Sequence, residues 1–502
     1  MAWQKKRSLR GGWLAVWLGL VGCGEPWGEE PSPQEEAEAV QSFAAESEEA
    51  RRPCTSRESP AFMLENVPGV SSSYYSPALT PLNGKVYFRG PPWNQDSATL
   101  WLSDATEAGT YPIHENVSEP LMKAGRLLYF VQNGSLWASD GTAAGTRWMR
   151  SLGGGSPYNL FQDIRGRLFF FVSRSSSSEL WVSDGTAEGT GPVASFSSRP
   201  SVLSRVVEFR DQLFFIMRDA EWRTELWTSD GTPGGTHLFK AIAPGSASPY
   251  LSQLMVANGT LYFSANDHVH GQELWAARSL NPAHTSMVKD FRPGPGGSYP
   301  TLLAQLHGRL YFTFHPADQF SDLELWRTDG SPHGTVRVKR IRSPNPEFEE
   351  LATWHAFPAA NGVRTALTMG NNVFFGIQPV STNGPWAGVV QLWRTDGTPS
   401  GTRYVTEGLG FGDQGPIPEL FAAERTLLFA ASDDQHGREL WSSQGTVPGK
   451  RLLQDLLPGP GWSYPSSFVQ AGHFVYFIAG DASFRDRLWA LPVKSLRCHP
   501  LE

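Results

Sequence analysis

Short apolar segments separated by turn-forming residues repeat along most of the chain, with a period of about 48 residues. Each repeat begins with an aromatic-rich segment, as at residues 167–171 (RLFFF), and continues into a segment centred on Leu-Trp. A turn, another apolar segment, a connector rich in Pro, Gly and Ser, and a last apolar segment complete the repeat. Hairpin-forming pairs such as Asn83-Gly84 lie between segments, so the pattern predicts four short antiparallel strands in each repeat.

The Leu-Trp pair occurs nine times. Its tryptophans are Trp101, Trp137, Trp181, Trp227, Trp275, Trp326, Trp393, Trp441 and Trp489. Four strands per repeat are typical of one β-propeller blade. We therefore expect an all-β fold, a single closed β-propeller of nine four-stranded blades over residues 55–502. The short step from Trp101 to Trp137 leaves eight blades as the alternative.

The turn that follows Leu-Trp has the sequence Ser-Asp-Gly-Thr-x-x-Gly-Thr in its most regular copies. With the preceding Glu, residues 179–186, 225–232 and 324–331 resemble the ELWxxDGT repeat of secreted bacterial proteins. The resemblance covers about residues 60–493 and implies an extracytoplasmic propeller, but it implies no particular activity. Several copies differ from the pattern: Ala105 replaces the Gly, Gln444 replaces the Asp, and residues 276–279 lack the Asp-Gly pair.

Leu and Trp are adjacent, so they face opposite sides of a sheet, and each Trp can bury about 150–250 Å² against a neighbouring blade. The turn aspartates are expected to accept hydrogen bonds from the amides of their own turns. These residues are Asp140, Asp184, Asp230, Asp329 and Asp396. Calcium binding by the same aspartates is the alternative. Since Ca²⁺ takes about 6–8 oxygen ligands and each blade brings one carboxylate, we expect no metal.

The two ends of the array complement each other. Residues 62–69 (FMLENVPG) align with residues 452–459 (LLQDLLPG), whereas the last repeat stops before such a segment. The N-terminal strand is therefore expected to complete the last blade and close the ring. Cys54 and Cys498 would then lie close together and form a disulfide in an oxidising compartment. Two free thiols are the alternative.

Residues 1–22 are predicted to be a signal peptide. Lys5, Lys6, Arg7 and Arg10 precede an apolar stretch at 12–22 that is too short to span a bilayer. The residues at 20–23 (LVGC) resemble the lipobox of bacterial lipoproteins, which implies cleavage before Cys23 and lipidation of its thiol. An ordinary signal peptide is the alternative. The expected location is the bacterial cell envelope, as an outer-membrane lipoprotein that is periplasmic or surface-exposed.

Residues 23–54 contain nine glutamates among Pro, Ser, Gln and Ala, and they are expected to form an acidic, flexible tether. The whole chain has a formal net charge of −7, which gives no basic surface for nucleic acid. The sequence has no second hydrophobic run long enough to cross a membrane, so the membrane is expected to contact the protein through the lipid anchor only, and we expect a monomer.

Departures from the repeat are candidate functional positions. Insertions between Trp326 and Trp393 contain Trp354, His355 and Trp386, which are candidates for contact with a ligand, or for packing against the rim. The sequence Asp-x-x-His-Gly occurs at 267–271 and at 433–437. It is typical of a turn, and metal chelation is the alternative.

No nucleophile elbow, zinc-protease motif, phosphate-binding loop or Cys-x-x-Cys pair occurs in the sequence, so we predict no catalytic residues and no cofactor. The expected function is that of a binding scaffold for protein or polysaccharide. A glycan-active hydrolase or lyase on a propeller scaffold is the alternative, and a purely structural envelope protein is a third.

Overall fold

The structure is a computed structural model that describes residues 61–497. The description has gaps at 68, 71–77, 95–96, 198, 201–205, 219–220, 222, 244, 246–247, 317–321, 343–347, 354–365, 382–389, 408–418 and 446–449. In this part of the chain nearly all regular structure is β-strand. The exceptions are a 3₁₀ turn at Pro282–His284 and a short helix α1 at Val493–Arg497. No helix in the described ranges is long and apolar enough to cross a membrane.

The strands form antiparallel sheets, and we number nine four-stranded units in chain order as sheets 1 to 9. The first strand, β1, is Phe62–Met63 and belongs to sheet 9. Sheets 1 to 3 are formed by β2 (Leu79–Leu82), β3 (Lys85–Asn94), β4 (Ser97–Ser103), β5 (Tyr111–Ala124), β6 (Leu127–Gln132), β7 (Ser135–Ser139), β8 (Arg147–Ser151), β9 (Ser156–Ile164), β10 (Arg167–Ser173), β11 (Ser178–Ser183) and β12 (Gly191–Phe196).

Sheets 4 to 6 follow with the same strand order, except that the first strand of sheet 4 consists of two segments that both pair with β15. These sheets contain β13 (Arg199–Pro200), β14 (Val207–Phe209), β15 (Gln212–Arg218), β16 (Thr224–Ser229), β17 (His237–Lys240), β18 (Ser252–Ala257), β19 (Thr260–Asn266), β20 (Gln272–Ala277), β21 (Thr285–Met287), β22 (Thr301–Leu306), β23 (Arg309–Phe314), β24 (Leu323–Thr328) and β25 (Val336–Ile341).

Sheets 7 to 9 complete the series, and sheet 7 also has a first strand in two segments. Their strands are β26 (Phe348–Thr353), β27 (Ala366–Met369), β28 (Asn372–Ser381), β29 (Gln391–Thr395), β30 (Arg403–Glu407), β31 (Phe421–Ala423), β32 (Thr426–Asp433), β33 (Gly437–Ser443), β34 (Arg451–Gln454), β35 (Ser466–Ala471), β36 (Phe474–Gly480) and β37 (Asp486–Pro492).

Hairpins with two positive φ angles connect the first and second strands of several sheets. Asn83 and Gly84 have φ values of 50° and 75°, and Asn258 and Gly259 have values of 47° and 67°. This is the conformation of a type I′ turn, which matches the twist of the flanking strands. Asn-Gly pairs in the sequence therefore fix the register of these hairpins.

The short step between Trp101 and Trp137 has a structural cause in β5. Val117 of this strand pairs with β4, and Ser118 pairs with β6, so one continuous strand is both the last strand of sheet 1 and the first of sheet 2. No connector separates the two units, and they form one seven-stranded sheet. The short step thus reflects a missing connector and not a missing unit.

Successive sheets pack face to face through buried apolar residues. In every Leu-Trp pair the leucine is 0% exposed and packs toward the next sheet, while the tryptophan packs toward the preceding sheet. Leu180, for example, packs with buried residues of sheet 4, whereas Trp181 packs with buried residues of sheet 2. The pair therefore links three consecutive sheets, as alternation along a strand requires.

The end of the array packs against its beginning. Phe62 and Met63 pair with Ala490 and Trp489, so β1 is the fourth strand of sheet 9, as the sequence alignment predicts. Gln454 of sheet 8 makes two hydrogen bonds to the backbone of Ala61, at 2.8 and 3.0 Å. Buried residues of sheet 9 and sheet 1 form one continuous cluster. The described part of the chain is therefore an all-β, propeller-like array.

Candidate functional site

The Asp-Gly-Thr turns are closed by their own side chains. In sheet 2, Asp140 Oδ1 accepts hydrogen bonds from the backbone N–H and the hydroxyl of Thr142, at 2.9 and 2.7 Å, and Thr142 Oγ1 accepts from Gly145 N–H. The side-chain hydrogen bond from Thr142 holds the pKa of Asp140 below its usual value. The same bonds recur at Asp184, Asp230, Asp329 and Asp396. These carboxylates stabilise the turns.

The second glycine of the motif lies directly against the aspartate. A Cβ atom placed on Gly145 would be 2.1 Å from Asp140 Oδ1, and the equivalent distance for Gly401 and Asp396 is 2.0 Å. Only glycine leaves room for the carboxylate to reach the turn amides. The motif is therefore a self-contained structural unit.

The glutamate two residues before the tryptophan has two different roles. Glu179, Glu225 and Glu324 accept a hydrogen bond from the indole N–H of their own repeat, at 2.8–3.0 Å. Glu273 and Glu439 instead turn toward the connector that follows their sheets. Sheets 5 and 8, which contain these two residues, are also the sheets with the Asp-x-x-His-Gly sequence.

Asp-x-x-His-Gly forms a tight hairpin between the second and third strands. Asp267 Oδ1 accepts from the N–H groups of Val269 and His270, and Asp267 Oδ2 lies 2.7 Å from His270 Nδ1. The hydrogen bond with Asp267 raises the pKa of His270. In sheet 8, Asp433 and His436 make the same contacts. The described ranges contain no cluster of three or more His, Cys, Asp or Glu side chains that could hold a metal ion.

The glycine of this hairpin lets the connector cross it. A Cβ on Gly271 would lie 2.3 Å from the backbone nitrogen of Gly297, and a Cβ on Gly437 would lie 1.9 Å from the carbonyl oxygen of Gly461. Both glycines have positive φ, at 74° and 66°. Hairpin and connector are thus in backbone contact at this end of sheets 5 and 8.

A buried carboxylate holds each of these connectors. Glu273 is 0% exposed and accepts a 2.5 Å hydrogen bond from the hydroxyl of Ser298. Glu439, also 0% exposed, accepts from Ser463 Oγ at 2.7 Å and from the N–H groups of Leu456 and Ser463 at 2.8 and 3.1 Å. Each glutamate therefore fixes the serine that precedes an exposed tyrosine.

Both glutamates have strongly shifted acidities. Burial raises the pKa of Glu273 to about 7, the hydrogen bond from Ser298 opposes this rise, and the charge of Asp290 adds to it. Burial likewise raises the pKa of Glu439 to about 7, against the hydrogen bond from Ser463 and with a contribution from Asp455. These carboxyl groups change protonation near neutral pH inside the protein.

Exposed aromatic residues gather at the same end of the sheets, which we call the connector end. It comprises the hairpins between second and third strands and the connectors from fourth to first strands. Tyr250, Tyr299 and Tyr464 each lie two residues before a first strand and are 61%, 65% and 38% exposed. Trp462 is 50% exposed and contacts the Tyr464 ring edge-on at 5.6 Å. Phe484, in a hairpin of sheet 9, is 80% exposed.

Four of these aromatic residues have left-handed backbone conformations. The φ angles are 45° at Tyr250, 54° at Tyr299, 50° at Tyr464 and 57° at Phe484. Bulky L-residues are rare in this region, which glycine and asparagine occupy most readily. Sequence reasoning missed these residues, although the recurrence of Ser-Tyr-Pro at 298–300 and 463–465 was a usable signal.

The opposite end of the sheets has a shallow cavity of about 610 Å³. Its lining includes Asn258, Gln305, His307 and Thr368, at the hairpins between first and second strands of sheets 5 to 7. No Phe, Tyr or Trp side chain is among the described residues that line it. This cavity therefore offers no large apolar ring to a ligand.

Several predicted site residues lie outside the described residues. They are the lipidation site Cys23, the disulfide candidates Cys54 and Cys498, and the candidate ligand contacts Trp354, His355 and Trp386. The predictions for these six residues stay predictions.

No protein-family model matches the sequence, and no curated protein matches it. Among solved structures, the chain is similar to oligopeptidase B from Leishmania major, with 14% identity over 74% of this chain and 52% of that one and a TM-score of 0.41. A puromycin hydrolase has 15% identity over 82% and 59% of the two chains, with a TM-score of 0.38. A structure from a study of two prolyl endopeptidases has 11% identity over 82% and 61%, with a TM-score of 0.35. This chain thus spans between about half and three fifths of these proteins.

Proposed function

We propose that the nine sheets form a single closed β-propeller, anchored in the cell envelope through a lipid on Cys23, that binds a protein or polysaccharide ligand at the connector end. The closed ring is supported by the strand pairing of Phe62 with Ala490 and by the shared apolar cluster of sheets 9 and 1. A ring brings all connectors to one face of the molecule, where an extended ligand can contact several of them.

The observation that carries the binding proposal is the set of exposed aromatic residues in left-handed conformations at the connector end. Such a conformation costs an L-residue roughly 1–2 kcal/mol. Tyr250, Tyr299 and Phe484 are 61%, 65% and 80% exposed, so their rings gain little burial within the protein to offset that cost. Strained residues of this kind are typical of functional sites.

The same geometry favours binding over catalysis on a glycan. A glycosidase needs a general acid together with a second carboxylate that reach the substrate. The two carboxyl groups with pKa raised to about 7, Glu273 and Glu439, are 0% exposed and hold connectors from inside. A positioning role for these groups accounts for their burial.

The test compares the detergent-solubilised full chain with the variant Tyr250→Asn/Tyr299→Asn/Tyr464→Asn on a glycan array and in pull-downs from envelope extract of the source cells. The matched control is Tyr111→Asn, because Tyr111 is 43% exposed at the start of β5, beside the turn between third and fourth strands and therefore at the end of its sheet opposite to the connector end. We expect a ligand that the parent and the control retain and the triple variant loses by at least tenfold. Binding that the triple variant retains in full would contradict the proposal. Release of new reducing ends from a glycan would support the enzymatic alternative.

A further inference from the structure

We infer that the ligand of the connector end is an uncharged polysaccharide, held by the aromatic rings of two separate clusters. We define the clusters by their place in the fold: the first is Tyr250 and Tyr299, before the first strands of sheets 5 and 6, and the second is Trp462, Tyr464 and Phe484, in the connector and a hairpin of sheet 9. This inference rests on the proposed binding function and narrows it to one class of ligand.

The backbone beside the tyrosines of both clusters is held in place by hydrogen bonds to the adjacent sheet. Ser298 N–H and Tyr299 N–H donate to the carbonyl of Gln272, and the Ser298 hydroxyl donates to Glu273. The side-chain amide of Gln272 also donates to the carbonyl of Tyr250 at 2.9 Å, so one residue on β20 joins the backbones beside both tyrosines, through its main chain on one side and its side chain on the other. Fixing the backbone before the ligand arrives lowers the entropy lost on binding.

The second cluster has the same support. Ser463 N–H and Tyr464 N–H donate to the carbonyl of Arg438, and the Ser463 hydroxyl donates to Glu439. The Arg438 guanidinium, 5% exposed as a residue, lies 5.5 Å from the centre of the Tyr464 ring. The inner face of this ring is therefore covered, and a ligand meets its remaining surface together with Trp462.

Charge at the connector end favours an uncharged ligand. In the hairpins beside the clusters, Asp267 pairs with His270, Asp433 with His436, and Asp481 with Arg487. The exposed Asp434 and Arg485 of the same hairpins carry opposite charges, so neither sign is in large excess. A polyanion would need an excess of Arg or Lys at the rings, and a cationic partner would need unpaired carboxylates. Flat apolar rings with polar edges match the alternating apolar faces and hydroxyl groups of sugars.

Recurrence of the arrangement favours a polymer with repeating units. Tyr250 and Tyr299 occupy equivalent positions two residues before β18 and β22, in neighbouring sheets. Packed sheets lie about 10 Å apart, so two rings on neighbouring sheets can contact two units of one extended chain. The same position recurs at Tyr464 in sheet 9. When one cluster has bound the polymer, the effective concentration of the polymer at the other cluster is high, so the two clusters together bind more tightly than either one alone.

The test uses native gels cast with soluble neutral polysaccharides: hydroxyethylcellulose, glucomannan, xyloglucan and amylopectin. Alginate serves as the anionic comparison. We expect at least one neutral polymer to retard the full chain, and we expect Tyr250→Asn/Tyr299→Asn to weaken this binding at least fivefold. Adding Tyr464→Asn and Phe484→Asn should weaken it at least fiftyfold. Asparagine suits left-handed backbone, so the variants keep their fold, which near-ultraviolet circular dichroism checks.

Three outcomes would overturn the inference: no retardation by any neutral polymer, retardation by alginate alone, or retardation unchanged in the fourfold variant relative to Tyr111→Asn. A protein from envelope extract that binds the parent and not the fourfold variant, without any retardation by the polymers, would refute the polysaccharide while the binding function stands. Absence of binding in both assays would refute both.

Discussion

Replacing the buried carboxyl of Glu273 with an amide should change how stability depends on pH. The pKa of Glu273 is raised to about 7 from an ordinary value of 4.5, chiefly by burial. Between these two values the folded chain keeps the proton while the unfolded chain releases it. The free energy of unfolding therefore falls as pH rises through this window, by about 3 kcal/mol at one such site.

Glu273→Gln keeps the shape of the side chain and cannot ionise. Its stability relative to the parent should thus increase by about 3 kcal/mol between pH 4.5 and pH 8. Urea unfolding of both chains, followed by tryptophan fluorescence at several pH values, measures this difference. Histidine titrations common to both chains cancel, except that of His270, whose pKa is raised by the hydrogen bond with Asp267 and also by the charge of Glu273. Ser298→Ala is a useful companion. Its hydroxyl donates to the ionised carboxylate, so its loss should steepen the pH dependence.

A stability difference between Glu273→Gln and the parent that stays constant from pH 4.5 to pH 8 would refute this reasoning. It would show that the carboxyl group is ionised in the folded protein throughout, and that the hydrogen bonds from Ser298 and the connector amides outweigh burial. The double variant with Glu439→Gln should show about twice the effect, since the two sites lie in separate sheets and act independently.

Three further predictions test the connector and the chain ends. Gly437→Ala should lower the free energy of unfolding in urea by at least about 3 kcal/mol, because the alanine is strained in left-handed backbone and its Cβ displaces the connector, whose nearest atom lies 1.9 Å away. Gly459→Ala, whose Cβ has no atom within 4 Å, should lower it by about 1 kcal/mol. Equal losses would contradict the backbone contact. Cys23→Ser should move the chain from the membrane fraction to the soluble fraction in a fractionation blot, and retention at the membrane would contradict the lipid anchor. Mass spectrometry of the chain digested without reductant should find the peptides of Cys54 and Cys498 joined, and finding both as free thiols would contradict the disulfide.

The sequence predicted the strand count of a repeat well, because alternation, Asn-Gly hairpins and the Leu-Trp pair are local signals. Leu180 and Trp181 had to face opposite sides of β11, and one sheet on each side follows from that. The alignment of residues 62–69 with 452–459 also predicted the pairing of β1 with β37. These features depend on residues that are close in the sequence, or on a segment whose sequence resembles another segment of the same chain.

Other features of the fold and the candidate site could not be predicted from residues that are close in the sequence. The continuity of β5 across two sheets leaves only a short step in the repeat, which fits a defective unit equally well. Glu225 and Glu273 occupy the same place in the motif, yet one bonds to its tryptophan and the other to the next connector. The difference depends on where the connector crosses Gly271, and this is a contact between separate segments.

The binding proposal depends on one closed ring, since only a ring brings the connectors of sheets 5, 6 and 9 to a common face. Oxidative cross-linking of Phe62→Cys with Ala490→Cys tests this closure most directly, in a chain that also carries Cys54→Ser and Cys498→Ser. The two positions are strand partners, and their Cα atoms are therefore within disulfide range. We predict a cross-link within one chain that forms quantitatively on mild oxidation and raises the urea midpoint. A chain that stays reduced, or that cross-links only to a second chain, would contradict the closed ring.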